Sequence, residues 1–311
     1  MPPSCQGDAP GVSDCGASGE SCCTSLPVVG GPFYRTYMND GGGATGLADP
    51  ASVHDFRLDK YLVTVGRFRK FVAAWAGGSG WLPAAGAGKH TYLNGGKGLA
   101  DSANPGGYEP GWVTSDNAAV DPTDANLDVT ACNGQVATWT PIAGENERLP
   151  IDCIAWQEAA AFCIWDGGFL PSDAEWVYAA AGGAQEREYP WGSTDPGTAS
   201  QYAIYDCYYG LNVGKPACTG IQNVAAVGTA TLGAARWGQL DQEGDMTVWM
   251  LDWFASLTMP CVDCADVSSG TKRGVRGIAF EDTLYFFNPL SRRSAAPSVR
   301  NAFGVRCART P

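Results

Sequence analysis

Apolar and polar residues alternate along two early stretches, VVGGPFYR and VHDFRLDKYLVT, which are also rich in β-branched and aromatic side chains. That period predicts strands over Val28–Tyr34 and Ser52–Val63. The period then changes. Thr64 stands as a cap before a run in which Phe68, Phe71, Val72 and Trp75 share one side, which predicts an amphipathic helix. Ala159, Phe162 and Cys163 recur at helical spacing after Trp156. Gly167 and Gly168 end that run, because glycine accepts the left-handed residue after a helix at little cost. Ser172 precedes Glu175 at capping-box spacing, and Ala174, Trp176 and Ala179–Ala181 follow as helix formers. A helical hairpin with a short Gly-Gly-x-Leu-Pro turn is the expected result. Short strands are expected at Thr247–Asp252, Gly274–Phe280 and Phe303–Cys307. Residues 76–150 have weak periodicity and read as a long, partly ordered insertion closing over the core. Residues 192–235 are irregular again. No repeat or linker interrupts the chain, so one domain is expected over 28–311. A Cys-rich leader, 1–27, precedes it with little core of its own.

Composition narrows the class. The chain has 311 residues, 45% hydrophobic and only 17% charged, enough to bury a substantial core. Its 41 glycines, 20 prolines and 11 tryptophans point to many turns around small elements. A formal net charge of −12 argues against a nucleic-acid or anionic-membrane surface as partner. No apolar run is long enough to span a bilayer.

Twelve cysteines stand beside two histidines, scattered rather than clustered as zinc ligands would be. An even count in a Gly-rich chain fits six disulfides and an oxidising compartment: extracellular, periplasmic or cell surface. The start, MPPSC, has no apolar signal core, so any export signal is expected to have been removed. Cys5, Cys15, Cys22 and Cys23 form two local bridges with three pairings open. Cys207 is expected to pair with Cys218. Cys261 and Cys264 form a Cys-x-x-Cys, read first as a local disulfide and second as a metal or redox pair.

The segment WQEAAAFCIWDGGFLPSDAEWVYAAAGGAQEREYPW, with GGPFYR, FRLDKYLVTVGRF, WGQLDQEGDMTVWMLDWF and NAFGVRCA, resembles the formylglycine-generating enzymes, or sulfatase-modifying factors. The resemblance covers roughly residues 28–309. It implies an α+β, C-type-lectin-like fold, loop-rich and disulfide-stapled. It also implies a bridge between Cys163 and Cys307, which would stabilise by roughly 4–5 kcal/mol on the chain-entropy account.

The same resemblance implies chemistry that the residues do not support. Active members hold copper on two cysteines and use oxygen to oxidise a substrate cysteine. The matching stretch, RGIAFEDTLYFFNPLSRRSAAPSVRNAFGVRC, has no cysteine between Gly277 and Cys307. Copper is therefore not expected. Glu281, Asp282, Tyr285 and Phe287 fall roughly where those cysteines would be. With Arg292 they are the candidate ligand-binding residues. Arg292 and Arg293 beside Glu281 and Asp282 make either a recognition patch or ion pairs among themselves. Family members also hold structural calcium near Gly244-Asp245-Met246, where Asp241 and the Gly244 and Met246 carbonyls could serve as a weakened site. Val248 replaces a family glutamate there, and Ile204 replaces an asparagine of a second site. Phe169, Leu62 and Val177 likewise stand where charged residues are usual, which reads as hydrophobic packing replacing an internal ion-pair network. His54 and His90 have no nucleophile at a useful spacing and read as structural.

Three functions are compatible with this sequence. The first is a secreted or surface-anchored, non-catalytic binding module that recognises a ligand or protein through its C-terminal loops. The second is a copper- and oxygen-dependent oxidase with a displaced site. The third is a structural protein that self-assembles through its apolar substitutions.

Overall fold

Gly30 and the His54–Asp55 pair split the two expected N-terminal strands into four. A Cβ at Gly30 would lie 2.3 Å from the Val53 carbonyl oxygen, so only glycine lets the strands pass this closely. The computed structural model describes residues 1–76, 80–132, 136–210, 218, 220–268 and 270–311. Its strands begin with β1 (Ser25–Val28), β2 (Gly31–Met38), β3 (Thr45–Val53) and β4 (Phe56–Asp59). Helix α1 (Val65–Ala76) follows Thr64, whose hydroxyl accepts from the Arg67 amide as a cap. The insertion supplies β5 (Ala100–Asp101) and the single turn α2 (Asp124–Leu127). Parts of it, 77–79 and 133–135, lie outside the described residues.

The hairpin helices are α3 (Trp156–Trp165) and α4 (Asp173–Ala180). In α4 the Ser172 hydroxyl accepts from the Glu175 amide while the Glu175 carboxylate accepts from the Ser172 amide. The remaining strands are β6 (Thr247–Trp253), β7 (Cys261–Val262), β8 (Cys264–Ala265), β9 (Arg273–Arg276), β10 (Arg293–Ala295), β11 (Phe303–Gly304) and β12 (Ala308–Arg309).

Two expected strands are shorter than their sequence pattern. Gly277 takes a left-handed φ of 71° and turns the chain out of the sheet, so β9 ends at Arg276 and not at Phe280. Phe303–Cys307 is likewise interrupted after Gly304. The small sheets are ordered β1-β4-β12, β10-β9-β6-β11, β2-β3-β7 and β5-β8.

Among the described residues two large apolar clusters fill most of the interior, one around Trp176, Phe56 and Phe280, the other around Phe68, Phe162 and Trp249, with two smaller ones beside them. Cys5, Val12, Cys15 and Cys22 of the leader belong to the first cluster. A buried ion-pair network anchors the leader as well. Arg67 Nη2 lies 3.2 Å from Asp59 and 2.6 Å from Asp166, and Arg309 bonds both carboxylates at 2.7 Å. The Ser4 amide donates to Asp166 at 2.9 Å. Burial opposes ionisation of Asp166, but Arg67 and Arg309 outweigh it and hold its pKa below the usual carboxylate value.

All twelve cysteines are paired: Cys5–Cys23, Cys15–Cys22, Cys132–Cys153, Cys163–Cys307, Cys207–Cys218 and Cys261–Cys264. Phe169 and Val177 are buried, as are Leu62 and Val248. The Phe169 ring lies against that of His90, centroids 3.8 Å apart and planes tilted by 42°.

Candidate functional site

The C-terminal loop begins where Gly277 leaves the sheet. β6 and β9 pair antiparallel, with Trp249 opposite Val275, and β10 adds on the far side of β9. This places Arg293 beside the start of β6. Its guanidinium holds Asp282 with two N–H···O bonds of 3.0 and 2.8 Å. It also donates to the Gly277 carbonyl at 2.9 Å and to the Thr247 hydroxyl at 2.5 Å. Asp282 in turn accepts from the Ala279 amide at 2.7 Å. A cavity of about 160 Å³ remains here, with Thr247, Glu281, Asp282, Arg293 and Asn301 in its wall. Glu281 is exposed at its rim. Partial burial of its head group, and then the charge on Asp282, raise its pKa.

Residues Leu284–Phe286 form one 3₁₀ turn, not a strand. It presents three large apolar side chains outward: Leu284 is 42% exposed, Tyr285 88% and Phe286 39%. The next residue, Phe287, is buried, with its ring 4.7 Å from Tyr205 and 6.0 Å from Trp191. Phe287 therefore anchors the turn and offers no surface to a ligand. Arg292 also departs from the group. It donates to the Ala255 carbonyl at 2.7 Å and lies over the Phe254 ring. Of the five candidate residues, Glu281, Asp282 and Tyr285 share the loop surface. Asp282 is committed to its ion pair with Arg293.

The candidate calcium residues are turned inward. Asp241 Oδ2 accepts from the Gly228 amide at 2.6 Å, and its carbonyl accepts from Arg306 at 2.9 Å. The Gly244 carbonyl accepts from the Met246 amide at 2.9 Å. Burial, opposed by Arg306, pushes Asp241 up to about 6. Among the described residues no three His, Cys, Asp or Glu side chains converge as metal ligands would. Ca²⁺ asks for six to eight oxygens, and of the three expected ligands Asp241 and the Gly244 carbonyl already accept protein hydrogen bonds. Nearby Asp245 keeps one buried oxygen without a partner, as does Glu243 with both of its own. Burial raises both pKa values well above normal.

One charged cluster escaped sequence reading. His90 is fully buried, with Nδ1 3.0 Å from Glu109 and Nε2 3.2 Å from Glu175. Burial disfavours the imidazolium, yet Glu175 and Glu109 outweigh it and push the pKa up to about 10. A Gly-rich loop around His90 gave no hint of a partner 85 residues away.

A sequence model of the sulfatase-modifying factor enzyme 1-like domain matches residues 14–311, nearly the whole chain. The chain belongs to that family. It is 30% identical to the formylglycine-generating enzyme of Mus musculus over 132 residues, 37% of this chain and 34% of the relative. It is 40% identical over 63 residues to the mouse protein named inactive C-alpha-formylglycine-generating enzyme 2, 18% of this chain and 20% of that one. The matches thus span from about a third to a half of the length of the first curated relatives. The solved structure of PvdO from Pseudomonas aeruginosa superposes with a TM-score of 0.54 at 18% identity, covering 98% of this chain and 100% of that one. The family fold expected from the sequence, α+β, C-type-lectin-like and disulfide-stapled, is the fold observed.

Proposed function

We propose that this family member is a non-catalytic binding module that recognises a protein or other ligand through its C-terminal loop. The observation that carries the reading is the Leu284–Phe286 turn, three exposed apolar side chains fixed from beneath by buried Phe287. Contiguous exposed apolar surface on a rigid anchor is what an interaction site needs. Two further facts support it. The cavity wall carries an Asp–Arg pair in the region where the family resemblance places redox thiols, and every cysteine is engaged in a disulfide. Six bridges also support an extracellular, periplasmic or cell-surface location. The name of the mouse relative called inactive points the same way.

The test is selection of peptides from a random display library on immobilised protein, followed by affinity measurement on variants. Tyr285→Ala and Glu281→Ala should each weaken the selected peptides about tenfold, ~1.4 kcal/mol, without lowering the melting temperature. Peptides that bind both variants unchanged would remove the loop from the reading. Stoichiometric copper uptake with oxidation of a cysteine peptide would restore the oxidase alternative. The exposed turn also suits self-assembly, which predicts concentration-dependent large species in size-exclusion chromatography.

A further inference from the structure

A second cavity lies at the other end of β6. Thr247 lines the one described above, whereas Leu251 and Trp253 line this one. Its volume is about 220 Å³, below the usual range for drug-sized ligands. The insertion builds one wall, where Gly86 and Ala87 pair with Trp112 through two backbone bonds of 2.8 Å. Helix α3 supplies the opposite side through Trp156 and Ala160. Most of the lining is apolar.

Two groups of opposite charge face this space, Asp116 from the insertion and Arg273 from β9. A further carboxylate in the wall, Glu109, is already engaged with His90. Asp116 and Arg273 feel each other's charge, yet they stand too far apart for a direct ion pair, and neither has another among the described residues. Asp116 accepts a hydrogen bond from the Gln157 side chain and has no cation in contact. Arg273 is only 8% exposed. Its guanidinium lies against the rings of Trp156 and Trp253, 3.7 and 3.5 Å from their centroids, and Nη1 donates to the Leu251 carbonyl at 2.6 Å. Nε is buried without a partner. Nη2 makes no hydrogen bond among the described residues, and it is not sealed off as Nε is. Asp252, which also acts on Arg273, spends both carboxylate oxygens on the Asp173 and Asp266 amides. Burial pulls the Arg273 pKa down to about 9, and Asp116, Asp252 and Asp266 offset this only in part. A buried cation with no carboxylate in contact is an expensive arrangement, which a bound anionic group would relieve.

We infer that this cavity is a binding site for a free α-amino acid with an apolar or aromatic side chain, its carboxylate on Arg273 and its ammonium on Asp116. A cation alone would satisfy Asp116 and leave the guanidinium unpaired, and an anion alone would do the reverse. A zwitterion carries both charges on one carbon. It spans the gap that keeps Asp116 and Arg273 from meeting, and each contact is a charge-assisted hydrogen bond. Its net charge is zero, so the balance of one carboxylate and one guanidinium is kept. The apolar remainder of the cavity, among Trp112, Ile164 and Leu251, takes the side chain.

Isothermal titration of the purified full chain with L-phenylalanine tests this, beside phenethylammonium chloride, which lacks the carboxylate, and 3-phenylpropanoate, which lacks the amine. The expected result is saturable one-to-one binding of phenylalanine, at least about tenfold tighter than either analogue. Asp116→Asn should weaken phenylalanine by a similar factor and leave 3-phenylpropanoate unchanged. Ala87→Leu should abolish binding by filling the space. Both variants should melt with the parent. Tyr285→Ala should bind phenylalanine as the parent does, which separates this site from the C-terminal loop. No saturable binding at millimolar phenylalanine, equal or tighter binding of either analogue, or an unchanged phenylalanine affinity in Asp116→Asn would each overturn the inference. If Asp116→Asn fails to fold, Ala87→Leu and the three-ligand ranking still decide it.

Discussion

Glu109 and Glu175 grip the two ring nitrogens of His90 inside the protein. A histidine whose folded pKa exceeds its unfolded value adds stability that is complete below the unfolded value and fades as pH rises through the folded one. With the imidazole pushed up to about 10, its contribution should fall between about pH 6.5 and 10. His90→Gln should flatten that part of the stability curve, measured by denaturant unfolding at several pH values. An equal slope in the variant would locate the dependence elsewhere. Arg293 gives a second residue-scale expectation. Arg293→Ala strips Asp282 of its guanidinium and should cost about 1–3 kcal/mol. Asp282→Ala in the same chain should recover part of that loss, read from a double-mutant cycle. These details differ in legibility. The Ser172–Glu175 cap is local and could be read directly. The Glu175–His90 contact depends on tertiary folding, and no periodicity encodes it.

At the scale of elements, the hairpin α3–α4 was legible because cap, glycine stop and apolar spacing agree within a few residues. Strand β6 was legible too, but the ends of β9 and β11 were not. Apolar residues continue past Arg276, but Gly277 turns the chain with a positive φ. A Cβ there would lie 3.0 Å from the Gln242 carbonyl oxygen. Gly277→Ala should therefore destabilise the protein by about 1–2 kcal/mol, seen as a lower denaturant midpoint with an unchanged slope. The aromatic run Tyr285-Phe286-Phe287 enters a turn and sends its last ring inward. Position in sequence grouped five candidate residues; packing kept three of them on one surface.

Over the whole molecule, bridges do what a few short sheets do weakly. Cys163–Cys307 closes the longest of the six loops, with a separation of 144 residues. Replacing both cysteines by serine should lower stability by about 4–5 kcal/mol on the chain-entropy account, measured by chemical denaturation under oxidising conditions. The family resemblance made this pair readable, whereas the leader's pairing needed the fold to choose among three. Cys5, Val12, Cys15 and Cys22 contribute to the main core, so a chain starting at Val28 should bind a hydrophobic dye and melt less cooperatively than the parent.

The Ser4 amide and the Arg309 guanidinium both hydrogen-bond the Asp166 carboxylate, so residues near the two ends meet at one side chain. A circular permutant should therefore be feasible. A short flexible linker would join the ends, and the exposed Asp40–Gly43 turn would supply the new opening.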